Sequence, residues 1–113
     1  MPSTYTCLHY HLVFATKHRE PFLEAPWRAR LHQYMGGVVR ENRGIALCVD
    51  GVEDHVHLLV GLRPTHRLSD FMRALKSASS AWAQARCSFA GFQWQEGYSA
   101  FTVSDSGLAR VKR

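Results

Sequence analysis

At 113 residues the chain is long enough to bury one modest core and too short for two. Apolar residues make up 46% and charged residues 20%, a balance that excludes wholesale disorder. The 14 Lys and Arg against 9 Asp and Glu leave a formal charge of +5, which favours a polyanionic partner such as nucleic acid.

Residues 5–16 are rich in β-branched and aromatic side chains and predict a strand. Leu8, Tyr10, Leu12 and Phe14 fall on one face of it, and Cys7, His9, His11 and Val13 on the other. The polar stretch Lys17-His18-Arg19-Glu20-Pro21 ends that strand. Pro26 suits the first turn of a helix, along which Trp27, Leu31, Tyr34, Met35, Val38 and Val39 form one apolar stripe. Gly36-Gly37 costs this helix about 1 kcal/mol per glycine against alanine, so a close approach of another backbone is expected there. Asn42-Arg43-Gly44 supplies the stop. Two strands follow, over 45–52 and 56–62, joined by a turn around 51–54. Leu68, Phe71, Met72, Leu75, Ala78, Ser79 and Trp82 describe a second amphipathic helix, opened by Ser69-Asp70. A last strand is expected over 94–103, interrupted at Gly97, and Ser104-Asp105-Ser106 signals the start of a further helix. The order β-α-β-β-α-β predicts the α+β, ferredoxin-like split βαβ arrangement, an antiparallel sheet with two helices on one face. The other face is left for a ligand, a partner or a further helix.

His55 and His57 stand two apart at the start of the third strand, so both imidazoles leave the same face. Val56, Leu58 and Val60 leave towards the helices. Two neighbouring neutral imidazoles can bind one divalent ion, and such an ion stabilises charge on the oxygens of a phosphodiester undergoing cleavage. Lys17 and Arg19 flank the end of the first strand and are the first expected phosphate contacts, with His18 between them as a stacking candidate. Arg73 and Lys76, with Ser80, recur along the second helix away from its apolar stripe and can track a nucleic-acid backbone.

Cys7, Cys48 and Cys87 are odd in number and form no C-x-x-C pair, which argues against a zinc ribbon or a redox motif and for free thiols. The start, Met1-Pro2-Ser3-Thr4, has no signal-peptide character, and no apolar run approaches the roughly 20 residues that span a bilayer. A cytoplasmic protein without membrane association is expected.

Four landmarks carry a resemblance to a known family. Tyr10-His11-Leu12-Val13-Phe14, with Lys17-His18-Arg19, resembles the opening strand and basic loop of the IS200/IS605 single-tyrosine transposases of the HUH superfamily. Asp54-His55-Val56-His57-Leu58-Leu59 resembles their HUH motif, and Leu68-Ser69-Asp70-Phe71 the start of the helix that follows it. The stretch from Trp94-Gln95-Glu96-Gly97-Tyr98 to Val103-Ser104 resembles their last strand. The resemblance implies a dimeric transposase acting on single-stranded DNA with hairpin ends. It implies that His55 and His57 hold Mg²⁺ or Mn²⁺ and that a tyrosine forms a 5′-phosphotyrosine with the cleaved strand. By the family register that tyrosine would follow Arg113, with a glutamine ligand about one helical turn later. Residues 1–113 are therefore expected to be one domain that stops short of its catalytic-tyrosine helix and does not cleave DNA by itself. Tyr5, Tyr10, Tyr34 and Tyr98 sit on periodic apolar elements or in a strand and are expected to be structural.

Other readings stay open. A truncated or domesticated hairpin DNA-binding module needs no nucleophile. An RNA-binding sheet would want aromatics on the third strand, where His55-Val56-His57-Leu58 stands instead. Another metal-dependent phosphoesterase would need a third ligand, for which His9, His11, Glu53 and Asp54 are available. A purely structural subunit could dimerise through the apolar edge Ala100-Phe101-Thr102-Val103.

Overall fold

The computed structural model describes residues 8–86 and 91–103. In chain order the elements are β1 (Leu8–Ala15), a short 3₁₀ turn (Lys17–Arg19), α1 (Ala25–Glu41), β2 (Ile45–Gly51), β3 (His55–Leu62), α2 (Leu68–Arg86) and β4 (Ser99–Val103). The sheet order is β2-β3-β1-β4, and each neighbouring pair is antiparallel. This is the split βαβ, ferredoxin-like α+β fold that the element order predicts. The expected helix start beyond Val103, together with Tyr5, Cys7 and Cys87, lies outside the described residues.

One face of the sheet is covered by both helices. Leu12 and Phe14 of β1 and Val56, Leu58, Val60 and Leu62 of β3 point into this core. Trp27, Leu31, Met35, Val38 and Val39 of α1 and Phe71, Met72, Leu75 and Ala83 of α2 close over them. Burial of these side chains supplies the main driving force for the fold, at about 1.5–3 kcal/mol for each large one. Tyr34 stacks on Trp82 with ring centres 5.4 Å apart and so fastens α1 to α2.

Two expectations change on folding, and one feature has no forecast in the sequence. The last strand is shorter than the pattern suggests, because the residues before it leave the sheet and only Trp94 makes an isolated bridge, to Thr16. Phe92 and Trp94 turn into the core instead. The Trp94 indole N–H donates to Ser79 Oγ at 2.9 Å, and its ring stands edge-on to Phe14 at 4.6 Å. Secondly, β2 carries a bulge between Ala46 and Cys48, so Ala46 and Val49, three residues apart, both pack against the core. Thirdly, among the described residues no backbone from outside the helix crowds the glycine pair of α1. The nearest atom to a Cβ built on Gly36 would be a guanidinium nitrogen of Arg40, at an ordinary 3.5 Å.

Candidate metal and nucleic-acid site

The register of the sheet decides which side chains share the face opposite the helices. One row across it reads Cys48, Leu59, His11, Phe101; the next reads Asp50, His57, Val13, Ser99. His55 follows His57 along β3 on that face, opposite Ala15. The hairpin that presents His55 is tight. A Cβ on Gly51 would overlap the carbonyl oxygen of His55 and lie 3.0 Å from Val56 Cα, so glycine is required there.

The two imidazoles do come together. Their ring centres are 4.8 Å apart with planes at 73°. His55 Nδ1 lies 2.8 Å from Asp54 Oδ1. His57 Nδ1 lies 3.2 Å from Nε2 of His11, one strand away. Among the described residues no hydrogen bond engages Nε2 of His55 or His57, and neither atom is buried. Burial, then the neighbouring His55 and His11, push the proton affinity of His57 below the ordinary value, which keeps this ring neutral. The hydrogen bond from His55, and then the charge of Arg19, hold the Asp54 carboxyl below its ordinary range and therefore ionised.

Arg19 reaches the same place. Its Nε lies 3.6 Å from Asp54 Oδ2, on an arm that is 63% exposed, so Asp54 joins an imidazole on one side to an available guanidinium on the other. The turn that carries Arg19 is wound unusually. His18 (φ 57°) and Arg19 (φ 56°) are both left-handed, a conformation that costs non-glycine residues of order 1 kcal/mol each. Several hydrogen bonds hold it. Thr16 N–H donates to Asp54 O at 2.9 Å, Lys17 N–H to Gln93 O at 2.9 Å, and His18 N–H to Gln95 Oε1 at 3.0 Å.

The second-helix cations are placed around the same segment but are more engaged. Lys76 Nζ donates to Gln95 O at 2.7 Å and Gly97 O at 3.0 Å, which ties α2 to the loop beside His18. Arg73, one turn earlier, pairs with Asp70 at 3.3 Å and remains 75% exposed. The sequence pattern shows the histidine pair and the Lys17–Arg19 turn. It cannot show that Asp54 joins Arg19 to His55 or that His11 meets His57, because the strand register brings those residues together. The shared face of His11 along β1 is the one signal that could have pointed to it.

Among the described residues no three His, Cys, Asp or Glu side chains are arranged to hold a metal, so His11 and Asp54 do not complete a ligand set with the pair. No helix among them is long and apolar enough to cross a membrane.

Comparisons with known proteins bear on the family and the fold. The ISDra2 transposase TnpA of Deinococcus radiodurans is 29% identical over 112 residues, covering 94% of this chain and 80% of that protein. A crystal structure of a candidate transposase from Deinococcus radiodurans R1 superposes with a TM-score of 0.79 at 29% identity, covering 98% of this chain and 91% of the other. The fold is also that of a REP-associated tyrosine transposase bound to a REP hairpin, with a TM-score of 0.68 at 15% identity, covering 98% of this chain and 66% of that one. Residues 4–113 match the family described as "Transposase IS200 like". This chain belongs to that IS200-like transposase family.

Proposed function

We propose that this domain binds hairpin-bearing ends of single-stranded DNA and presents a divalent cation, Mg²⁺ or Mn²⁺, to a phosphate through His55 and His57. The observation that carries the reading is the pair itself: two rings on one face, 4.8 Å apart, each with Nδ1 engaged and Nε2 reaching solvent. Such a donor set fits a borderline or hard divalent ion whose remaining positions are filled by oxygen ligands. The cation would stabilise charge on the non-bridging oxygens of a scissile phosphate. Arg19, beside the pair, is suited to hold a phosphate oxygen, and Lys17 to attract the strand. His18 offers an exposed ring for an unpaired base, and Arg73 and Lys76 extend the positive strip along α2. A homodimer formed along β4, acting in the cytoplasm, completes the reading.

The placement of the three described tyrosines favours a binding role for the described residues without strand cleavage. Tyr10 packs against the core from the helix side of β1, and Tyr34 is stacked on Trp82. Tyr98 is exposed ahead of β4, and no hydrogen bond or ring contact joins any of the three to His55 or His57. The full reaction, in which a tyrosine oxygen attacks phosphorus and a 3′-hydroxyl leaves, then requires a nucleophile from outside these described residues.

The test is Mn²⁺ binding by electron paramagnetic resonance, alongside gel-shift titration with a hairpin oligonucleotide. One Mn²⁺ per chain is expected, lost in His55→Ala and His57→Ala, with hairpin affinity largely kept in both. Metal binding that survives both substitutions would overturn the proposal, as would equal affinity for hairpin and unstructured DNA.

A further inference from the structure

A neutral imidazole carries one proton on two nitrogens, and only the bare nitrogen can ligate a cation. A pair of histidines binds one ion well only if both rings put the bare nitrogen on the same side. Something must therefore choose the tautomer of each ring.

For the neutral form of His55 the geometry selects one tautomer. Its Nδ1 faces Asp54 Oδ1 at 2.8 Å, and a carboxylate oxygen accepts, so the ring's one proton belongs on Nδ1 and Nε2 is the bare nitrogen. Asp54 is itself fixed. Its carbonyl receives Thr16 N–H at 2.9 Å, and its second carboxylate oxygen faces Arg19 at 3.6 Å.

His57 has its own partner. The ring centres of His11 and His57 are 5.3 Å apart with planes only 18° from parallel, while the facing nitrogens are 3.2 Å apart. The difference is roughly two ring radii, so the rings meet edge to edge along the N···N line. That is the shape of a direct N–H···N hydrogen bond. Two lone pairs converging on a shared ion would instead draw the rings into an angle. The absence of any three-residue ligand cluster among the described residues agrees.

We infer that Asp54 and His11 are positioning residues, which accept the Nδ1 protons of His55 and His57 and so turn both Nε2 lone pairs towards one divalent cation. The inference rests on the metal reading above and adds to it the two residues that make the histidine pair competent. Neither touches the ion. Outer-shell partners of this kind change metal affinity by about 10–100-fold when removed.

Two measurements test it. Long-range proton–nitrogen correlation spectra of isotopically labelled, metal-free protein report the tautomer of each ring directly. His55 and His57 are both expected to be protonated on Nδ1 and bare on Nε2; a His57 protonated on Nε2 would overturn the assignment. Mn²⁺ titrations then compare variants whose folding is checked by circular dichroism. His11→Leu and Asp54→Ala, which cannot accept the proton, are expected to weaken binding about 10–100-fold. His11→Gln and Asp54→Asn, which keep an accepting oxygen, should restore most of it. Equal losses in the accepting and non-accepting variants would sink the positioning role while leaving the metal site standing. Wild-type protein that binds no Mn²⁺ would instead remove the metal reading, and this inference with it.

Discussion

Gly51 and His55 approach so closely across the β2–β3 turn that any side chain at position 51 would collide with the His55 carbonyl oxygen. The first histidine of the pair is thus placed by a residue that has no chemistry of its own. Gly51→Ala is expected to cost about 1–3 kcal/mol in chemical denaturation, the usual range for overpacking. It should also weaken the proposed Mn²⁺ binding, because the backbone that must move is that of the strand carrying His55 and His57. Unchanged stability would mean that the turn opens freely.

Contacts with DNA should divide the cations into two groups. Lys17 and Arg19 are exposed on a fixed turn, so Lys17→Ala and Arg19→Ala should weaken hairpin binding and lower the slope of log affinity against log salt by about 0.7 each. Arg73 is held by Asp70 at 3.3 Å, more closely than Arg19 is by Asp54 at 3.6 Å, and Arg73→Ala should change both quantities less. Gel shifts across a salt series would read this out. A larger effect at Arg73 would place the nucleic acid along α2.

Acid should loosen the fold before it reaches the carboxylates. Burial lowers the proton affinity of His32 below its ordinary 6.5, and His57 is lowered from the same value. The unfolded chain therefore takes up protons below pH 6.5 that the folded chain resists, so stability falls as the pH drops through that value. Thermal unfolding at neutral pH and at about pH 5 should show it. His32 Nε2 is buried without a hydrogen-bond partner among the described residues, so His32→Leu should flatten the dependence. A slope unchanged in that variant would assign the effect to other groups.

Leu58 tests the opposite side of β3. It follows His57 but is fully buried among the helices, and Leu58→Ala should cost about 2–5 kcal/mol. A smaller loss would show that the core collapses easily around the gap.

The edge strand offers a check on assembly. Phe101 is 58% exposed on β4, which pairs only with β1 among the described strands. Phe101→Lys is expected to shift the proposed dimer towards monomer in sedimentation velocity. A monomeric wild type would remove that part of the reading.

Most of the fold is legible in the chain because apolar period and strand register agree. The alternation Val56, Leu58, Val60 fixes which face of β3 is buried, and so which face carries His55 and His57. Residues 92–98 are less legible. Trp94 suits a strand, but the larger gain lies in filling the core beside Phe14 with its indole N–H satisfied by Ser79, and only the tertiary arrangement reveals that. The bulge in β2 was hidden for a similar reason: no glycine or proline marks it. Within the site, His55 and His57 are local in sequence and legible there. His11 meets His57 and Asp54 meets His55 through side-chain contacts, and Arg19 meets Asp54 in turn, which only the folded hairpin and strand register reveal.

The left-handed turn at His18 and Arg19 bears on how quickly and tightly a strand could be captured. A guanidinium on a floppy loop must surrender its wandering when it meets a phosphate, and that loss subtracts from the attraction. Here the backbone has already been confined during folding by its ties to Asp54, Gln93 and Gln95. The incoming strand would meet a preset knuckle, so more of the charge attraction would survive as affinity.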